Sequence, residues 1–147
     1  MYSDEELLQK AKDVMKNAYC AYSNFQVGAA LVTKNGQLFL GANHENASFG
    51  GTICAERSAF VAALTAGHRE FTTIAVAHAP SEPASPCGIC RQFMVEFGDM
   101  KVILGSSTSS NVTVTTLYEL LPGAFTPKSL HSPEKVISSD LCHGSCQ

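Results

Sequence analysis

The sequence lacks several features that would place the protein in a membrane or outside the cell. None of its apolar runs reaches the roughly 20 residues that a membrane-spanning helix needs. Residues 1–6 are acidic and carry neither the basic segment nor the apolar stretch of a secretory signal peptide. Six cysteines without an export signal favour a reducing compartment, where thiols bind metal more often than they pair. We therefore expect a cytoplasmic protein with no membrane partner.

The chain also lacks an excess of positive charge. Its 147 residues carry a formal net charge of −3 and show no basic stripe. Proteins that bind nucleic acid usually present a basic face to the phosphates, so this balance argues against a nucleic-acid partner and leaves a neutral small molecule open. With 45% apolar and 16% charged residues, the chain is expected to form one globular domain with a sizeable core.

Apolar periodicity predicts an α/β fold over residues 1–130. Ser3 and Glu6 form a predicted capping box at the start of the first helix, and the dipeptide Asn35-Gly36 favours a tight turn between the first two strands. Predicted helices cover 3–19, 54–66, 87–97 and 116–121, and predicted strands cover 26–33, 37–42, 72–79, 101–104 and 112–115. The alternation of strand and helix in the second half indicates a sheet with helices on both faces. Residues 131–147 are polar and rich in serine, and we expect them to form a poorly ordered tail.

Two short segments place thiols and a carboxylate at predicted helix starts. The first contains Cys54 and Glu56, and the second contains Cys87 and Cys90 after a proline. Three protein ligands that leave a fourth position open are typical of a catalytic zinc rather than a structural one. Glu56 lies two residues from its nearest thiol, where it can take a proton from a zinc-activated water without binding the metal. The pattern predicts one catalytic zinc per chain, with the three cysteines as ligands.

Other interpretations of these segments have to be weighed. Cys87 and Cys90 alone would fit a structural zinc knuckle or a redox pair equally well. A structural site normally supplies a second C-x-x-C or a histidine pair, whereas the five histidines of this chain show no metal-ligand spacing. Arg57 and Arg91 directly follow the two motifs. Either arginine can offset the negative charge of a three-thiolate site by bonding to a sulfur, and the alternative for both is a solvated helix face.

Longer stretches around these motifs resemble cytidine deaminase, the small, homotetrameric, zinc-dependent type of pyrimidine salvage. The stretches are AYSNFQVGAA at 21–30, GANHENAS at 41–48, CAERSA at 54–59, SPCGICRQ at 85–92 and ELLP at 119–122. The similarity extends from about Ala11 to Pro127. Zinc deaminases of the H-x-E…P-C-x-x-C pattern have histidine where this chain has Cys54. The resemblance implies a single three-layer α-β-α domain with a mixed five-stranded sheet.

The resemblance also implies which residues hold the substrate. Asn43 and Glu45 match the pair that binds the ribose, and a side-chain amide and a carboxylate can both hydrogen-bond to a hydroxyl group. Phe25 matches an aromatic residue that lies near the pyrimidine ring. Judged from the residues alone, Asn43 and Glu45 are ordinary turn residues and Phe25 is an ordinary core residue.

Backbone groups and aromatic residues complete the implied site. Ser85 matches the residue whose backbone carbonyl faces the departing amine, and the backbone N–H of Cys54 or Ala55 is expected to bond to the base carbonyl. Phe125 matches an aromatic residue that reaches a neighbouring subunit's site, and Phe49 lies where the family has another aromatic contributed across the interface. The alternative for Phe125 is a side chain folded back onto its own core.

The implied reaction is the hydrolytic deamination of cytidine or 2′-deoxycytidine to uridine or 2′-deoxyuridine with release of ammonia, and Glu56 carries the protons. A deaminase of another cytosine compound, such as an aminoacyl-nucleoside antibiotic, is the nearest alternative. A polynucleotide-editing deaminase is disfavoured by the negative net charge. A non-catalytic zinc-binding interaction protein is a further alternative, but such a protein would have no use for Glu56.

Overall fold

Five strands form a single mixed sheet in the computed structural model, which describes residues 1–130. The strands are β1 (Val27–Thr33), β2 (Leu38–Ala42), β3 (Phe71–His78), β4 (Lys101–Ser106) and β5 (Val112–Thr116), and they lie in the order β2-β1-β3-β4-β5. Strands β3 and β4 are parallel, and the other neighbouring strands are antiparallel. The predicted α/β class with a mixed five-stranded sheet is therefore confirmed.

Helices cover both faces of this sheet. They are α1 (Asp4–Val14), α2 (Ala55–Thr65), α3 (Gly88–Val95), α4 (Leu117–Leu120) and α5 (Pro127–Leu130), with short 3-10 helices at Met15–Asn17 and Phe49–Gly51. Leu7, Leu8 and Ala11 of α1 pack with alanines of β1 and β3 on one face. Residues of α2 and α3 form the larger core with the other face, where Phe60 and Met94 are fully buried. The result is three layers in the order helix, sheet, helix.

The first helix begins as predicted and ends earlier. The Glu6 N–H donates to Ser3 Oγ at 3.1 Å, and the Ser3 N–H donates to Glu6 Oε2 at 2.7 Å, which completes the capping box. Regular α-helix stops at Val14, five residues before the predicted end at residue 19, and the 3-10 helix Met15–Asn17 follows it. The Tyr19 N–H donates to the carbonyl of Asn43 at 2.9 Å. This long-range bond holds the chain extended after the 3-10 helix, and local periodicity cannot reveal such a bond.

The remaining boundaries lie close to the predicted ones. The helices predicted from Cys54 and Cys87 begin one residue later, because each cysteine is the N-cap with extended backbone angles. Gly36 has a φ of 83° in the turn between β1 and β2, a conformation that glycine adopts without steric cost. Neither α5 nor the two 3-10 helices were predicted from the sequence. The predicted tail at 131–147 lies outside the described residues, and none of the helices within 1–130 is long and apolar enough to span a bilayer.

Strand β2 and helix α2 approach each other more closely than a side chain would allow. A Cβ atom added to Gly41 would lie 2.3 Å from the carbonyl oxygen of Ala55 and 2.4 Å from the backbone nitrogen of Ala59. Both neighbours are backbone atoms and cannot rotate away. The absence of a side chain at Gly41 therefore sets the position of the first turn of α2 on the sheet.

Replacing Gly41 with alanine should force α2 away from the sheet. Overpacking of this kind costs about 1–3 kcal/mol of unfolding free energy, measurable by urea denaturation. Gly50→Ala is the matched control, because a Cβ there meets no atom within 4 Å, and its effect should stay within about 0.5 kcal/mol. Equal stability of the two variants would show that the β2–α2 contact is adaptable.

Candidate active site

Two helix N-termini bring three sulfur atoms together. Cys54 and Cys87 are the N-caps of α2 and α3, and Cys90 lies in the first turn of α3 and is fully buried. The three Sγ atoms lie within 4.8 Å of one another, and those of Cys54 and Cys87 are 3.9 Å apart. The two helices are joined only through a long intervening segment that contains β3, so this cluster is a product of the fold.

The cluster fits a tetrahedral zinc ion. Zn–S bonds of about 2.3 Å place the sulfurs of a tetrahedral site about 3.8 Å apart, close to the observed separation of Cys54 and Cys87. Thiolates are soft ligands that suit zinc, and the positive end of a helix dipole favours thiolate over thiol. Among the described residues, these cysteines are the one group of three or more potential ligands close enough to share an ion. Three protein ligands leave a fourth coordination position for a non-protein ligand.

Protons are unevenly shared among the sulfurs. The pKa of the Cys54 thiol is lowered to about 5, first because Cys90 donates a hydrogen bond to it and also because Arg57 lies beside it, although burial opposes the shift. The same hydrogen bond, together with burial, raises the pKa of Cys90. Thiol ligands must lose their protons when a metal binds. The arrangement therefore already favours the thiolate at Cys54, whereas Cys90 needs a cation to favour its thiolate.

The two arginines after the motifs have different surroundings. Arg57 donates through one terminal nitrogen to the sulfur of Cys54 at 3.8 Å and to the carbonyl of Thr52 at 3.2 Å. Arg91 instead donates to two backbone carbonyls at 2.7 Å and to the hydroxyl of Ser85 at 2.7 Å. Only Arg57 therefore contacts a ligand sulfur among the hydrogen bonds of the described residues, whereas Arg91 holds the loop before α3 in place.

A cavity of about 400 Å³ opens next to the cysteines, within the size range of small-ligand sites. Cys54, Ala55, Glu56 and Cys87 are among the residues that line it. Glu56 is only 4% exposed, and burial raises the pKa of its carboxyl group to about 7, with the Cys54 thiolate adding to the effect. A carboxyl group with a pKa near neutrality exchanges protons readily at neutral pH.

Polar side chains line another part of the same cavity. Asn43 is buried, accepts from the Val27 N–H at 2.8 Å and donates to the carbonyl of Phe25 at 2.8 Å, so its amide is fixed by the backbone. The carboxylate of Glu45 accepts from two backbone N–H groups and from the hydroxyl of Ser23. The Ser23 bond is the main reason why the pKa of Glu45 is lowered. Both residues are therefore held in place, and Glu45 is kept ionised.

The structure gathers most of the predicted site residues around this cavity. The lining includes Phe25, Asn43, Glu45, Cys54, Ala55, Glu56, Ser85 and Cys87. Cys90, Arg57 and Arg91 do not line it. Phe125 and Phe49 do not line it either, and their side chains are 55% and 73% exposed.

Sequence reasoning missed His78, which also lines the cavity. His78 ends β3 on the face that carries Ile74 and Val76, and it is only 2% exposed. The signal available in the sequence was its position at the carboxyl end of a buried strand, in register with two apolar residues. Because it is a single histidine without metal-ligand spacing, it was not predicted to be a site residue.

Comparison with known proteins supports one family. Residues 1–106 match the family model described as the cytidine and deoxycytidylate deaminase zinc-binding region. The chain is 46% identical over 127 residues to a cytidine deaminase of Halalkalibacterium halodurans, covering 85% of this chain and 96% of that protein. It is 43% identical over 132 residues to a probable cytidine deaminase of Dictyostelium discoideum, covering 86% and 89% of the two chains.

Solved structures agree with the sequence relatives. The crystal structure of cytidine deaminase from Burkholderia pseudomallei superposes with a TM-score of 0.81 at 47% identity, and the match covers 84% of this chain and all of that one. The residues matched by the family model, 1–106, include both cysteine segments and Glu56. On these grounds the chain belongs to the cytidine deaminase family.

Proposed function

We propose that this protein catalyses the zinc-dependent hydrolytic deamination of cytidine and 2′-deoxycytidine to uridine and 2′-deoxyuridine, with release of ammonia. The observation that carries the proposal is the buried carboxylate of Glu56 in the same cavity as the sulfurs of Cys54 and Cys87. A purely structural zinc site needs no cavity and no proton carrier. The relatives named as cytidine deaminases match most of this chain, and residues 1–130 form the catalytic domain.

Cys54, Cys87 and Cys90 would hold the zinc ion, one per chain. When bound, the ion supplies a Lewis acid and a water whose pKa is lowered to ~7. Arg57 reduces the negative charge of the three thiolates through its contact with the Cys54 sulfur. Arg91 holds the segment that leads from Ser85 to the two cysteines of α3 by bonding to its backbone and to the Ser85 hydroxyl.

Glu56 moves the protons of the reaction. Its carboxylate takes a proton from the attacking water and delivers it to N3 of the base, which makes C4 electrophilic. The water oxygen then forms a bond to C4 as the C4=N3 double bond becomes single. Glu56 takes the remaining proton from that oxygen and passes it to the exocyclic amine; the bond from C4 to this amine breaks, a C4=O double bond forms, and ammonia leaves. General acid–base catalysis by one placed group contributes about 10²–10⁴-fold.

The remaining cavity residues bind the nucleoside. Asn43 and Glu45 hydrogen-bond to the ribose, and their fixed orientations mean that little side-chain entropy is lost when the ligand binds. Phe25 lies near the pyrimidine ring. The backbone N–H of Ala55, at the first turn of α2, is free to bond to the base carbonyl. The backbone carbonyl of Ser85 faces the departing amine.

The active form is a homotetramer in the cytoplasm, with sites shared between subunits. The exposed aromatic side chains support this proposal. Phe125 is held by its backbone, since its carbonyl accepts from the side chain of Gln92 at 2.8 Å, while its side chain remains 55% exposed. An aromatic residue fixed in this way is typical of an interface core. Phe49, at 73% exposure, is proposed to be covered across the same assembly.

Removal of one thiol should abolish zinc binding. Cys87→Ala leaves two sulfur ligands, so purified protein should contain well under one zinc per chain, whereas the wild type should contain one. Cys20→Ala is the control, because Cys20 lies outside the sulfur cluster. Elemental analysis of the three proteins measures the difference. Undiminished zinc in Cys87→Ala would remove that residue from the ligand set.

The proposed function is tested by a spectrophotometric assay on cytidine, 2′-deoxycytidine, cytosine and cytidine 5′-monophosphate. The two nucleosides should be deaminated. The phosphorylated substrate should fail, because the described cavity lining contains no lysine or arginine to bind a phosphate. Glu56→Gln should keep its zinc and its fold and lose turnover by about 10²-fold or more. A wild-type protein that is inactive on both nucleosides would refute the proposed function, and an active Glu56→Gln would refute only the role of this residue.

Loss of the Phe125 side chain should affect both assembly and substrate binding. In Phe125→Ala we expect a raised KM for cytidine and a tetramer that dissociates at higher protein concentration than the wild type. Analytical ultracentrifugation and steady-state kinetics measure the two effects. Tyr2→Ala removes another exposed aromatic side chain, 39% exposed, and should change neither. A fully active wild-type monomer would contradict the proposed assembly.

A further inference from the structure

His78 lines the active-site cavity and contacts two of the segments that form its walls. Its ring lies 5.7 Å from that of Phe25, measured between centroids, with an angle of 22° between the ring planes. Its Nε2 accepts a hydrogen bond from the backbone N–H of Ala84. Phe25 and Ala84 both line the cavity, and they belong to segments far apart in sequence. One buried side chain therefore contacts both segments.

The hydrogen bond decides where the ring carries its proton. Because Nε2 accepts from Ala84, the neutral imidazole must carry its hydrogen on Nδ1. Nδ1 is buried and has no hydrogen-bond partner among the described residues. Burial lowers the pKa of His78, which keeps the ring neutral and able to accept.

Core packing alone does not explain a histidine at this position. A buried N–H without an acceptor destabilises the folded state, and an apolar ring of similar size would avoid that loss. What an apolar ring could not supply is the acceptor for the Ala84 N–H. The polar contact to Ala84 is therefore the feature that distinguishes His78 from a residue that merely fills space.

We propose that His78 is a positioning residue for the deamination reaction, which holds Phe25 through its ring face and the segment from Ala84 to Cys87 through Nε2. The inference rests on the proposed function. Its two contacts should affect different kinetic constants. Phe25 lies near the base, so loss of the ring face should weaken substrate binding. Ala84 precedes Ser85 and is three residues from the metal ligand Cys87, so loss of the acceptor should misalign groups that act in the chemical step.

Two substitutions separate the contacts. His78→Gln keeps a side-chain oxygen that can accept from the Ala84 N–H and removes the ring, so KM for cytidine should rise about 2- to 10-fold with little change in kcat. His78→Phe keeps the ring and removes the acceptor, so kcat should fall about tenfold or more with little change in KM. Both variants should retain one zinc per chain.

His68 provides matched controls. Its ring lies 5.2 Å from that of Phe39, but it does not line the cavity. His68→Gln and His68→Phe repeat both substitutions beside another phenylalanine, and they should leave kcat and KM unchanged. Thermal unfolding of all four variants tests whether the kinetic changes follow stability instead.

The tautomer gives a readout that does not depend on activity. Nitrogen NMR of the ¹⁵N-histidine-labelled, zinc-loaded wild type, assigned by comparison with His78→Gln, should show a protonated Nδ1 and an unprotonated Nε2 at His78. A protonated Nε2 would overturn the inference, because that nitrogen could not accept from Ala84.

The kinetic outcomes separate this inference from the proposed function. A wild type that does not deaminate cytidine overturns both. If the wild type is active and the His78 variants keep both kcat and KM, only the role of His78 is overturned. The same holds if the variants lower kcat and raise KM together, in proportion to lost zinc or lost stability. A raised KM in His78→Gln and a lowered kcat in His78→Phe, with unchanged constants in the His68 controls, would support the positioning role of His78.

Discussion

The close approach of three sulfur atoms is the constraint on which the rest of this structure depends. Cys54 and the two cysteines of α3 lie within 4.8 Å of one another, which requires the N-termini of two helices to meet at one point above the sheet. Both helices pack on the same face, and β3 connects them through the core. Gly41 permits close contact between β2 and α2. The position of the metal site is thus set by backbone packing rather than by flexible side chains.

The same geometry places groups that favour the ionised form of a thiol next to a carboxyl group that favours its neutral form. Thiolates are stabilised by helix N-termini and by Arg57, whereas the neighbouring Glu56 is buried and resists ionisation. A carboxyl group that gains and loses a proton easily is useful beside a site that activates water. The pKa of Glu45, farther from the cysteines, is shifted in the opposite direction to that of Glu56. Hydrogen bonds from Ser23 and Tyr22 keep its carboxylate ionised, which suits binding to hydroxyl groups rather than proton transfer.

The cavity walls are tied together by polar contacts to the backbone. Asn43 bonds to both Phe25 and Val27, His78 bonds to Ala84, and Arg91 bonds to the loop before α3. Each contact joins segments that are remote in sequence or fixes a loop that carries a site residue. Such bonds order the walls before a ligand arrives and reduce the entropy lost on binding.

The sequence by itself was enough to predict the three-cysteine metal site, the carboxylate proposed to carry protons, and the order of the five strands and the main helices. Those features depend on local chemistry, since thiols and a carboxylate at helix starts, capping boxes and apolar periodicity are all visible over short stretches. The roles proposed for Asn43, Glu45 and Phe25 came from the resemblance to a family, because their residue types are ordinary at turns and in cores. Only the tertiary structure decided where the chain becomes extended after α1, that Arg91 bonds to the backbone of Leu120 rather than to a sulfur, and that the ring of His78 stacks on that of Phe25. Each of these depends on contacts between residues far apart in the chain, and local sequence carries no record of such contacts.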